Sequence, residues 1–248
     1  MIHKIATISM ALALCLSATV KTNAQGAPAD PKQEQKGYIG ITGGGALLFG
    51  NFTQTGYNDD KAGFASSGMN IGITGVYFIK HHFGIAALVS YHGYGYHGAQ
   101  NLVDGYKEAF DLDSATLYRK GNNQSFNILV GPYYSLPLGN GRLHLDARVL
   151  AGYVNAQFAG NEIYLEDGVG NQFEQKPATA SAFGYQAGLG LRYDLGHFDI
   201  GINADYFGAN PHFTIDNTNR KNEAGWKRTE YAQPIQGVNA NLTLLYHF

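Results

Sequence analysis

From Tyr38 onwards, apolar and polar residues alternate with a period of two in eight segments, with polar stretches between them. That period sends successive side chains to opposite faces of a strand. It predicts strands over Tyr38–Phe49, Met69–Ile79, Phe83–Tyr96, Ser125–Leu136, Leu143–Tyr153, Phe183–Leu195, Phe198–Phe207 and Val238–Phe248. No segment carries a convincing helical period; "YKEAFDLDSATLYRK" is ambiguous and reads as a hairpin within a loop. In the fifth segment Leu143, Leu145, Ala147, Val149, Ala151 and Tyr153 share one face, and His144, Asp146, Arg148, Leu150 and Gly152 share the other. The sixth and eighth segments repeat the division, and the apolar row is uncharged in all three.

The connections follow a second alternation. "KHHFG", "LPLGNGR" and "LGH" are tight turns, with Gly-Asn-Gly supplying positive φ. The other four connections, about residues 50–68, 97–124, 154–182 and 208–237, are long and polar. Long and short alternate strictly, so all long loops leave one end of the sheet and all tight turns the other. Pro132, in "LVGPYYS", removes a ladder donor and predicts a bulge or an irregular register in the fourth strand. The glycines of "ITGGGALLFG" blur the phase of the first strand, where Ile39, Ile41, Leu47 and Phe49 are assigned to the apolar face.

Two architectures produce this pattern. A soluble sandwich or lipocalin-like barrel buries the apolar face; an outer-membrane barrel turns it to lipid and keeps the polar face inside. Period alone does not separate them, so composition and the ends of the chain enter. Residues 1–24 read as a secretory signal peptide, with Lys4, an apolar run from Ile5 to Val20 and small residues before a cut after Ala24. Cys15, the one cysteine, lies in this run behind Leu14, where a lipoprotein signal wants a small residue. Cleavage leaves 15 basic and 19 acidic residues, a net charge of −4, and a chain stabilised with no disulfide. Such a charge argues against a nucleic-acid partner, which would call for a basic stripe.

The remaining features favour the membrane. Only 15% of residues are charged, and those concentrate in the long loops. The polar rows carry Gly, Asn and Ser, which fit a narrow interior. Tyr77, Tyr91, Tyr134, Tyr153, Phe183, Tyr193, Phe198, Tyr206, Tyr246 and Phe248 end the apolar rows, as girdles at two membrane interfaces do. The expected fold is an all-β, eight-stranded antiparallel up-and-down transmembrane barrel over residues 37–248. It has four long extracellular loops and three short periplasmic turns, and follows a short polar segment over 25–36.

Here the chain resembles the small eight-stranded outer-membrane β-barrels, similar to the OmpA transmembrane domain and the OmpX-like proteins of the porin-like superfamily. The likeness covers essentially the whole mature chain. Its most specific part is the terminal "LTLLYHF", where Leu242, Leu244, Tyr246 and Phe248 resemble the carboxy-terminal signal read by the barrel-assembly machinery. The resemblance implies a location in the bacterial outer membrane with periplasmic termini. The expected partners are outer-membrane lipid and the assembly machinery, together with an extracellular ligand on the loops, since exposed loops on a rigid scaffold are the usual place for recognition.

An eight-stranded barrel is filled by its own side chains. Asp146, Arg148, Arg192, Asp194, Asp199 and Asp205 fall on the inner face, with Arg192 level with Gly201 and between Asp146 and Asp199. They read as an ion-pair network, or more sharply as a gate that swaps partners. His81 and His82 occupy a tight turn, and His92 and His97 point to opposite faces, which predicts no metal site or other cofactor site. Neither His-x-Ser nor Gly-x-Ser-x-Gly occurs, so no catalytic residue is assigned. "GYGYHG" matches the dinucleotide-binding glycine pattern, which needs a following helix where a polar loop is expected. The loops hold Trp226 and "EIYLEDGVGNQFEQK", whose Asp-Gly suits a hairpin. The leading expectation is a non-enzymatic structural or adhesion protein with surface-exposed loops. A small ion or solute channel is the alternative, and a lipid-modifying enzyme the third reading.

Overall fold

The computed structural model describes residues 36–248 apart from 60, 169, 171 and 219–226. Its elements in chain order are β1 (Gly37–Phe49), β2 (Ala65–Lys80), β3 (Phe83–Tyr96), α1 (Ala99–Phe110), β4 (Ala115–Lys120), β5 (Asn123–Leu138) and β6 (Leu143–Phe158). There follow β7 (Asn161–Leu165), β8 (Gln172–Gln175), β9 (Ala178–Asp194), β10 (Phe198–Ala209), β11 (His212–Thr218), β12 (Lys227–Ala232) and β13 (Ile235–His247).

Eight of these strands close into an antiparallel barrel in the order β1, β13, β10, β9, β6, β5, β3, β2. Each of the eight strands predicted from alternation is present. Most run longer than expected, β9 to 17 residues, against the roughly ten that cross a bilayer. The excess projects at the long-loop end, where β6 and β9 stay paired past Tyr153 and Phe183 to Phe158 and Ala178. Closure joins β1 to β13, pairing Tyr38 with His247 and Phe49 with Gln236, so neither strand is left with a free edge.

Sidedness is unambiguous. Ile41, Val149, Leu189 and Leu242 are exposed on the outer surface, while Thr42, Asn127, Asn239 and Thr243 are buried inside. Ile39, Leu47 and Phe49 also face out, which fixes the phase of the first strand. An exposed apolar band of this extent is the inverse of a soluble barrel. Pro132 departs from expectation. The β5–β6 register is the same on both sides of it, and the irregularities lie instead in β2, at Ser66/Gly68 and Phe78/Lys80. Pro132 sits on the outer face and pairs with Ile85 of β3, so its missing donor costs a bond on the β6 side without shifting the strand.

The long connections are not plain loops. Parts of three of them form a second sheet of five strands in the order β12, β11, β8, β7, β4. β7 and β8 pair as a hairpin around Asp167-Gly168, with Gly168 at φ 75°, as the Asp-Gly dipeptide suggested. The segment 99–110 is a helix, contrary to the expectation of no helical element, and β4 follows it. Leu102 of α1 packs with Ile163 and Leu165, and around them gather Tyr57, Tyr106, Leu117 and Phe173. This cluster gives the cap a core of its own. No helix among the described residues is long and apolar enough to cross a membrane.

Candidate functional site

The inner face carries two linked charge clusters near the tight-turn end. β6 holds Asp146 and Arg148 two residues apart on one face, and β9 brings Arg192 between Asp146 and Asp199, as register predicts. Arg192 Nε donates to Asp146 Oδ2 at 2.9 Å and Nη2 donates to Ser135 Oγ at 2.9 Å. Its Nη1 donates to Asp199 Oδ2, and that oxygen also lies 2.7 Å from His247 Nε2. The Arg192 guanidinium stands 5.1 Å from the Tyr38 ring centre. One layer up, Arg148 binds Asp205 through two parallel bonds of 2.7 Å. Gly188 makes this possible, because a Cβ there would collide with the Asp205 carboxylate. Asp194 caps the tight turn by accepting the Gly196 N–H at 2.6 Å.

Ser135, His144 and His247 join this region without having been singled out in the sequence. Ser135 pairs with Asp146 across β5 and β6, a register that counting back from "LPLGNGR" would have given. Its hydroxyl donates to Asp146 Oδ1 at 2.6 Å and lies 3.4 Å from His144 Nδ1. The Ser135 oxygen also accepts from Arg192 Nη2, so this hydroxyl ties the guanidinium to the Asp146 carboxylate.

Above the ionic layer Leu88, Leu129, Tyr133, Leu150 and Leu245 fill the lumen. His92 follows, stacked on Phe207 at 5.2 Å, with Nδ1 2.7 Å from the Asn127 amide and Nε2 3.1 Å from that of Asn239. Phe52, Phe158 and Phe213, none of them predicted as core, then close the top together with Tyr94 and Ile235. Two voids inside measure about 20 Å³ beside Arg148 and 10 Å³ beside His92. Each suits about a single water molecule, far short of a continuous pore.

At the long-loop end a groove of about 510 Å³ opens between α1 and β4, lined by Ala99, Val103, Lys107, Ala115, Leu117 and Lys120. A helix therefore does follow "GYGYHG", which corrects the ground on which that motif was set aside. It remains a poor nucleotide fingerprint for another reason. Gly93 and Gly95 lie within antiparallel β3, and only Gly98, at φ 72° before α1, occupies a turn. Thr55 packs where a Cβ on Gly98 would sit. Among the described residues no group of three His, Cys, Asp or Glu is arranged to hold a metal.

The sequence profile of the outer membrane protein β-barrel domain matches residues 9–248. The chain belongs to this outer-membrane β-barrel family. No curated protein matches it. Among solved structures it is similar to neisserial surface protein A, with 11% identity, 86% of this chain and 97% of that one covered, and a TM-score of 0.42. It is also similar to Ail, the attachment invasion locus protein of Yersinia pestis (14% identity, 86% and 99% covered, TM-score 0.40). A third is a major outer membrane protein from Thermus thermophilus (11% identity, 86% and 99% covered, TM-score 0.49).

In an outer-membrane barrel the exposed apolar rows face hydrocarbon. Tyr77, Tyr134, Tyr193, Tyr246 and Phe248 lie on the outer surface at the tight-turn end, and Tyr91, Tyr153 and Tyr206 at the other. Leu242, Leu244, Tyr246 and Phe248 point outward together from the end of the barrel's last strand. Ala24, Cys15 and Trp226 lie outside the described residues.

Proposed function

We propose that this barrel is a sealed, non-enzymatic membrane anchor that displays its cap to the outside of the cell as a recognition surface. The supporting observation is the contrast between its two ends. The lumen is closed by an ionic layer and an aromatic layer in series, whereas the long connections build a sheet and helix with their own core. Filling the lumen adds nothing to conduction, and ordering a cap costs conformational entropy that plain loops avoid. Under this reading the termini and tight turns are periplasmic and the cap extracellular. The two sets of outward aromatics are interfacial anchors, and the outward row ending at Phe248 is presented to the assembly machinery.

Two measurements test it. Labelling of intact cells with a membrane-impermeant amine reagent should modify Lys107 and Lys120 in the cap and spare Lys80 at a tight turn; the opposite pattern inverts the topology. Intact bacteria carrying the protein, or a barrel whose four long connections are replaced by tight turns, are then compared for retention on a panel of immobilised extracellular proteins. Equal retention, with both barrels shifting mobility on heating in SDS electrophoresis, would sink the recognition role.

A further inference from the structure

We propose that the groove between α1 and β4 receives an extended, acidic segment of a partner protein, which pairs with the free edge of β4 and extends the cap sheet. This rests on the reading of the cap as a recognition surface and names the place and chemistry of recognition. β4 ends the sheet order, so among the described residues no strand lies beside one side of its backbone. The Ser114 carbonyl accepts the Glu166 N–H, which turns Ser114 and Thr116 towards β7. By antiparallel alternation the N–H and C=O of Ala115 and Leu117 face the groove.

The register shift between Leu117 and Arg119 limits the regular edge to a short stretch. That shape hinders two long edges from zipping together while leaving room for a few bonds to a peptide. α1 forms the opposite wall through Ala99, Val103 and Lys107, and Lys120 stands at the end of β4, so among the described residues two ammonium groups and no carboxylate line the groove. The acidic Asp104 of α1 is not among the lining residues and accepts a bond from Gln100 Nε2 at 2.8 Å. Strand addition gives affinity through main-chain bonds, and the lysines supply the preference for glutamate or aspartate. The other sheet edge lacks this arrangement: on β12, Arg228 already pairs with Asp216 at 3.0 Å.

The full-length barrel in lipid nanodiscs is used to select from a displayed library of random peptides, and the selected peptides are measured by fluorescence anisotropy. Selection should enrich Asp and Glu alternating with β-branched residues and deplete Pro. Affinity should fall at least about tenfold in Lys107→Glu/Lys120→Glu, which loses two favourable pairs and gains repulsion. Reselection on that variant should enrich Lys and Arg instead. Ala115→Pro removes a groove-facing N–H without touching the β7 ladder and should abolish binding while the heat-dependent mobility shift persists. A pool without acidic enrichment, binding untouched by either variant, or self-association of the barrel through this edge would each overturn the proposal. If cap replacement abolishes cell retention while both variants keep it, recognition stands and this groove is not its site.

Discussion

Arg148 and Asp205 illustrate what a single inward position decides. Both side chains are nearly fully buried and satisfy each other through two bonds. Asp205→Asn leaves a guanidinium without its counter-charge and should cost about 3–5 kcal/mol, while Arg148→Met/Asp205→Leu should cost much less; urea unfolding of the barrel in lipid vesicles distinguishes them. On the outer face, Val149 is 58% exposed, and Val149→Arg or Leu189→Arg should cost about 2–4 kcal/mol near mid-membrane. Alternation alone makes Asn239→Arg the mild counterpart, and packing reverses that. Asn239 is 2% exposed and touches His92, so arginine has no room there. Parity along a strand reveals which way a residue points, and so placed Arg192 between its carboxylates. It does not reveal how full the interior is, since volume depends on all eight strands at once.

At the scale of elements, the barrel strands were legible because one side meets lipid and the other a narrow lumen, a contrast that enforces strict alternation. β4, β11 and β12 were missed because they are short and their sheet is half solvated, and of that sheet only the β7–β8 hairpin was signalled, by its Asp-Gly. Leu117, Ile163, Leu165, Phe213 and Ile215 carried the signal, at i, i+2 spacing within polar stretches. α1 was missed because its apolar face is narrow, and it depends on tertiary contact. The Tyr57 ring occupies the space where a side chain on Gly105 would begin. Gly105→Val should therefore expel Tyr57 and loosen the helix, read as faster amide exchange over residues 99–110 with the barrel unchanged. The same cluster sets a pH limit. Burial, with the neighbouring Tyr57 adding to it, pushes the Tyr106 hydroxyl up to about 12, above the free value of about 10. A raised pKa favours the neutral phenol in the fold, so this contribution is complete below pH of about 10 and disappears as pH rises towards about 12. Tyrosinate absorbance should lose one late-titrating group between pH of about 10 and about 12 in Tyr106→Phe, with exchange of α1 accelerating over the same range in the wild type.

For the whole molecule, an even number of antiparallel strands lets the sheet close on itself, β1 on β13. Closure leaves the question of conduction to what fills the lumen. The ionic layer around Arg192 and the aromatic layer of Phe52, Phe158 and Phe213 lie at opposite ends, with Leu129, Tyr133 and Leu150 between them. Resistances in series predict a particular pattern in planar bilayers. The wild-type barrel should give no stable single-channel steps. Arg192→Ala should remain silent although its ionic layer is broken, and so should Phe52→Ala/Phe213→Ala with the top opened. A partner-swapping gate behaves differently, because it is the sole barrier: Arg192→Ala alone would then conduct. Steady steps from the wild type, or from that single variant, would return the protein to the channel reading. Silence from all three, with heat-modifiable mobility proving each barrel folded, leaves the cap as the part through which the protein acts.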